Sequence, residues 1–240
     1  MKKIGSITPI WNQEIFLKPH FEMLSKLDRN VVLIQKGPLP NYDQHGIGSS
    51  ADRSESILRS QFPNVEIYYS NIDVDKDFRC ELYNEGLKMM QDCDLVFRLD
   101  PDMFFLEEDF DSLVELVREV DAPCFRMDFA KDSINYYGTW DFDHGLKDAK
   151  EMDPLVVDPK FMFTGILDYP AEPQFNINID GWMCHHLRGW NKPKSTKSDW
   201  YLTEGAQNAF RASSNNGKWF SVPDEIRLKL ENWKKELSLL

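Results

Sequence analysis

Two carboxylates one residue apart, Asp100 and Asp102, follow a mostly apolar run from Leu95 to Leu99 and flank Pro101. Short apolar runs ended by turn residues suit a strand buried on both faces. Pro101 has no N–H for a sheet ladder, so the strand is predicted to stop there. Acids at the carboxyl end of a central strand stand where open α/β sheets bind ligands. Hard oxygens this close together suit Mg²⁺ or Mn²⁺ bridging to phosphate. A solvated Asp-Pro-Asp turn has the same letters, so the rest of the chain must decide between the two uses.

The elements that would position these acids come from the apolar periodicity. Residues 3–8 read as a first strand ending at Thr8-Pro9. A helix follows, with Ile15, Phe16, Phe21, Leu24 and Leu27 near helical spacing. Residues 30–35 and 65–69 read as the second and third strands, and 54–61 and 77–91 as helices. The stretch 36–52, rich in Gly, Pro, Asn and Ser, reads as a long loop. After the central strand, Phe110, Leu113, Leu116, Val117 and Val120 form an apolar stripe on a helix over 107–120. Alternating strands and helices predict a mostly parallel sheet with right-handed crossovers.

Past Cys124 the rhythm changes. Residues 125–129 and 161–167 read as strands within an aromatic-rich stretch, 133–181, and 199–212 read as helical. The chain closes with a helix over 223–237, where Ile226, Leu230, Trp233 and Leu237 share a face. Ser221 is the expected cap, and Pro223 suits the first turn. That helix is expected to pack on the domain, because its polar face carries both signs of charge. The expected organisation is a single domain over 1–240: a first half of alternating strands and helices (1–120), an aromatic-rich second half (121–222) and the closing helix (223–240).

Length and charge bound the function. A chain of 240 residues with 42% hydrophobic content can bury one large α/β core. A net charge of −12 argues against non-specific binding of nucleic acid. Cys80, Cys93, Cys124 and Cys184 form no C-x-x-C pair and read as reduced thiols of a cytoplasmic protein. The apolar stretch behind Lys2 and Lys3 is short and interrupted by Asn12, Gln13 and Glu14, so a signal peptide is not expected; no run approaches ~18 apolar residues, so no transmembrane segment is expected, though peripheral contact with a membrane stays open. Neither a Ser-His-Asp order nor a P-loop is evident.

In the order of its motifs the chain resembles GT-A fold glycosyltransferases, nearest the family-two-like group. The stretch from Ile7 through Thr8, Pro9 and Trp11 to Glu14 looks like the segment that holds the nucleotide base. Arg79, followed by Asn84 and Gly86, resembles the family's Arg-x-x-x-Asn stretch, and Asp100-Pro101-Asp102 its metal motif. His185 or His186 sits where many such enzymes place a third metal contact. Residues 3–120 carry most of the resemblance. One departure is Gln35-Lys36, where an acid often binds uracil; the amide of Gln35 can still bond a base edge.

The resemblance implies an α/β GT-A-type Rossmann-like domain, its central sheet sandwiched by helices, with an aromatic-rich acceptor side. It implies transfer of a sugar from a nucleoside diphosphate, UDP-sugar favoured, to a carbohydrate or other hydroxyl acceptor. Thr8, Pro9, Gln35, Arg79 and Asp100 would face the nucleotide. Asp100, Asp102 and one of His185 and His186 would hold Mn²⁺ or Mg²⁺. Neighbouring histidines point in different directions on a regular backbone, so at most one is expected to ligate, with His186 favoured. The competing use of either is packing beside Trp190. Tyr136, Tyr137 and Trp140 beside Asp141 and Asp143 suit a sugar's apolar face and hydroxyls, and equally a core cluster. An inverting enzyme needs a carboxylate to take the acceptor proton, for which Asp180 and Asp143 are the candidates. A nucleotidyltransferase or a non-catalytic carbohydrate- or nucleotide-binding module remain the alternative readings.

Overall fold

The computed structural model describes residues 1–10, 13–35, 53–70, 79–128, 133–136, 145–146, 152–164, 169–170, 176–179, 182–187 and 222–240. In chain order they form β1 (Ile4–Ile10), α1 (Leu17–Leu24), β2 (Arg29–Gln35), α2 (Ser54–Gln61), β3 (Glu66–Ser70), α3 (Arg79–Met89), β4 (Leu95–Arg98), β5 (Met103–Phe104), α4 (Glu107–Glu119), β6 (Cys124–Asp128), β7 (Ser133–Tyr136), β8 (Gly145–Leu146), β9 (Met152–Val157), β10 (Phe163–Thr164), β11 (Tyr169–Pro170), β12 (Asn176–Ile179), β13 (Cys184–His186) and α5 (Asp224–Leu237). The expected loop over 36–52 and the expected helix over 199–212 lie outside the described residues.

A seven-stranded sheet runs in the order β12-β6-β9-β4-β1-β2-β3. Its pairs are parallel except where β9 meets β4 and β6. Period-two alternation sorts its side chains between two helical layers. Val32, Ile34, Phe97 and Leu99 join Phe21, Leu24, Phe110, Leu113 and Trp233 on one face. Ile7, Val31, Leu33 and Val96 join Leu82, Tyr83, Leu87 and Met90 of α3 on the other. This is the predicted α/β sandwich of a GT-A-type, Rossmann-like domain. Gly86 lets α3 lie close to the sheet: a Cβ there would come within 2.9 Å of Leu33 Cδ1 and 3.1 Å of Ile7 Cγ2.

A smaller sheet, β5-β13-β7-β8, stands beside the end of β4. Phe16, Phe104, Leu187, Val222, Ile226 and Leu230 form a third apolar cluster that ties β5 and α5 together. The α5 helix is anchored further by Trp233, 1% exposed, whose indole N–H donates to the Glu14 carbonyl at 2.7 Å.

Four expectations are corrected. First, β1 does not stop at Pro9 but continues to Ile10. Ile7 O accepts from Leu99 N on the β4 side, and Pro9, two residues on, faces the same side beyond the end of β4. Its missing N–H therefore costs no bond to β2. Second, β4 ends at Arg98, not at Pro101, because the chain turns at Asp100, where Met103 N donates to Asp100 O at 3.0 Å. Third, β9 was not foreseen as a strand, yet it inserts antiparallel between β4 and β6, its Leu155, Val156 and Val157 fully buried. Fourth, Pro223 is the N-cap residue of α5 and not part of its first turn; Ser221, the expected cap, lies outside the described residues. Asp224 and Glu225 in the first turn instead complement the positive end of the helix.

Candidate functional site

The carboxyl ends of β1, β2 and β4 share one edge of the sheet, because the three run parallel and in register. Pro9 and Gln35 stand at that edge, and the chain leaves β4 there into Asp100, Pro101 and Asp102. β4 itself is buried throughout, while Asp100 and Asp102 are half-buried beyond its end.

Sheet register delivers the third group. β13 pairs antiparallel with β5, setting His186 opposite Met103 and His185 opposite Phe104. Leu187 N–H donates to the Asp102 carbonyl at 2.8 Å, extending the ladder to Asp102 itself. His186 Nε2 then lies 3.3 Å from Asp102 Oδ1. One potential ligand atom each from Asp100, Asp102 and His186 falls within 4.8 Å of the others. Ligand atoms at ~2.0–2.3 Å from a shared ion stand up to ~4.5 Å apart across it, so the three need to close only slightly around one cation. Two carboxylates and an imidazole are a donor set that a divalent cation can accept.

Neighbouring strand residues face opposite ways, and His185 is not part of this group. It is 5% exposed, and burial pushes its imidazole down to about 4. Trp182 holds the segment onto α4 through its indole N–H, which donates to Ser112 Oγ at 2.7 Å.

Sequence reasoning missed the group that holds Asp100. Tyr83 of α3 is 2% exposed, and its hydroxyl donates to Asp100 Oδ1 at 2.5 Å. The buried guanidinium of Arg98 lies over the Tyr83 ring, 5.3 Å from its centroid. Arg98 is thus engaged inside the α3 layer beneath the acids. The next residue, Asn84, bonds both backbone groups of Phe163: its amide donates to the carbonyl at 2.9 Å, and its oxygen accepts from the N–H at 2.7 Å. The spacing of Leu82, Leu87 and Met90 marks the inward face of this helix but carries no signal for a polar contact from Tyr83 to a residue 17 positions on.

Of the residues expected to face a nucleotide, Thr8 is fully buried, with Oγ1 3.3 Å from His20 Nε2. Its hydroxyl turns inward, away from the crevice. His20 is fully buried, and burial pushes it down to about 4, against the opposing pull of the Met103 backbone and the Asp102 charge. Pro9 is half-buried and Gln35 pairs with Ser70 in the β2–β3 ladder. The side chains of Gln35 and Arg79, and all of Asp143 and Asp180, lie outside the described residues. A groove of 580 Å³ between α3 and residues 159–162 has none of the three clustered residues in its wall.

No protein-family model matches the chain, and no curated protein matches it. Solved structures do share its fold. S. aureus TarS 1-349 in complex with UDP-GlcNAc superposes with a TM-score of 0.51 at 13% identity, over 88% of this chain and 65% of that one. S. aureus TarS 1-349 alone gives 0.50 at 11% identity, over 98% and 72%. This chain therefore spans about two thirds of the length of the first of these, and the likeness is one of fold.

Proposed function

We propose that this chain is a metal-dependent glycosyltransferase that moves a sugar from a nucleoside-diphosphate donor to a hydroxyl acceptor. The observation that carries the reading is the meeting of Asp100, Asp102 and His186 at the carboxyl end of a central strand. That edge is where open α/β sheets take nucleotides. UDP is the favoured nucleotide, since the similarly folded TarS was solved with UDP-GlcNAc.

Asp102 and His186 would hold the cation from the β5–β13 ladder, and Asp100 from the turn braced by Tyr83. A bound divalent ion supplies Lewis-acid neutralisation of the diphosphate charge that builds as the glycosidic bond breaks. Pro9, Gln35 and Arg79 would flank the base and phosphates. Thr8 would contribute through its backbone, because its hydroxyl is turned to His20. If the reaction inverts configuration, Asp180 or Asp143 would take the acceptor proton. The aromatic acceptor side suits a carbohydrate. Among the described residues no helix is long and apolar enough to cross a membrane.

Thermal shift with a panel of nucleotides, with and without Mn²⁺, tests the reading. Stabilisation by nucleoside diphosphates that depends on Mn²⁺ is the expected result. A response to triphosphates alone would favour nucleotidyl transfer, and no response to any nucleotide would favour a non-catalytic module.

A further inference from the structure

We propose that Tyr83 sets the cation selectivity of the Asp100–Asp102–His186 group by occupying one oxygen of Asp100. The proposal rests on the metal reading above. The phenol donates to Asp100 Oδ1, a hydrogen bond from a neutral hydroxyl to a charged carboxylate. Nothing about the phenol is loose. Its ring is 2% exposed, lies under the buried Arg98 guanidinium, and meets the Phe163 ring at 5.7 Å between centroids. Phe163 is itself fixed, since Asn84 binds both of its backbone groups. The hydroxyl is therefore built into the α3 layer and does not sample positions as a surface rotor does.

A carboxylate oxygen that already accepts a phenolic proton is a poorer metal donor. Asp100 is left with one strong donor oxygen and acts as a monodentate ligand. That suits Mg²⁺ and Mn²⁺, which take about six ligands at short range. Ca²⁺ takes 6–8 oxygens at ~2.3–2.6 Å and gains from chelating carboxylates. Removing the hydroxyl frees Oδ1, so Asp100 can offer both oxygens to the larger ion.

The test is Tyr83→Phe, which keeps the ring under Arg98 and beside Phe163. Mn²⁺ alone is titrated into wild type and variant, free ion being read by electron paramagnetic resonance, and Ca²⁺ is then used to displace it. The ratio of Ca²⁺ to Mn²⁺ dissociation constants should fall at least about fivefold in the variant, the order expected for losing a hydrogen bond to a charged group. The melting temperature without metal should stay within a few degrees of wild type. Equal weakening of both cations, with the ratio unchanged, would mean that Tyr83 merely supports the fold, and overturns the proposal while leaving the metal reading standing. Wild type that takes up no Mn²⁺, or uptake unaltered in His186→Ala, overturns the metal reading and this proposal with it.

Discussion

His186 Nε2 lies 3.3 Å from Asp102 Oδ1, and the backbones that carry them are bonded to each other through Leu187 N–H and the Asp102 carbonyl. The imidazole is placed by a sheet ladder and not by a loop. A group held in this way loses little conformational entropy on taking a ligand. The two neighbouring histidines consequently differ in placement: His186 lies with the acids and His185 is outside that group.

His186→Ala should weaken Mn²⁺ binding at least roughly tenfold, because even outer partners of a metal site are worth that much. His185→Ala should leave metal affinity unchanged and cost about 1–3 kcal/mol of stability through the buried volume it empties. Isothermal titration with Mn²⁺ and urea unfolding of both variants provide the check. The assignment fails if the two variants bind Mn²⁺ alike.

Asp102→Asn should abolish metal-dependent sugar transfer while the fold survives. The side chain stands at the edge of the crevice, 17% exposed, and the bond from Leu187 uses its backbone carbonyl, which the substitution leaves in place. Near-normal transfer at limiting Mn²⁺ would remove Asp102 from the metal role.

Acid should destabilise the protein through His20. Burial holds its folded-state pKa near 4, below the ordinary value of 6.5. Between those two values the unfolded chain binds a proton that the folded chain refuses, so stability rises with pH across this window. The contribution is whole above pH 6.5 and falls as pH drops toward 4, by about 3 kcal/mol in all. Urea midpoints from pH 7 to pH 4 should therefore fall less steeply in His20→Gln than in wild type. Equal slopes would show that His20 titrates normally in the folded state.

Gly86→Val should lower the melting temperature markedly. A Cβ alone already meets Leu33 Cδ1 at 2.9 Å and Ile7 Cγ2 at 3.1 Å, and both neighbours are fully buried. Two further methyls must push α3 off the sheet, at about 1–3 kcal/mol for overpacking. Because α3 carries Tyr83, the same variant should also weaken Mn²⁺ binding. Calorimetry shows the first effect and metal titration the second; an unchanged melting temperature would mean that the interface opens freely.

Much of the fold was legible in the chain itself. Helix 54–61 has the bounds its pattern predicts, and Phe110, Leu113 and Val117 are buried along the stripe read from their spacing. The apolar run before Asp100 marked the central strand, and the acids stand just past its end. These features depend on burial and turn chemistry over a few neighbouring residues, which periodicity and proline placement encode directly.

Other features were decided only by tertiary structure. β9 enters the sheet between β4 and β6, although Met152, Asp153 and Pro154 give it no strand-like beginning. Thr8 turns to His20, and Tyr83 reaches Asp100 across layers that no local pattern connects. The choice between His185 and His186 rests on one register, that of β13 on β5. A slip of a single residue would exchange their faces. The packing of Phe104 and Leu187 with Phe16, Val222, Ile226 and Leu230 holds that register, and these residues come from distant parts of the chain. The sequence thus determined which groups were available for chemistry. The pairing of strands far apart in the chain determined which of them meet, because register is set by the burial of whole faces and not by the residues beside the site.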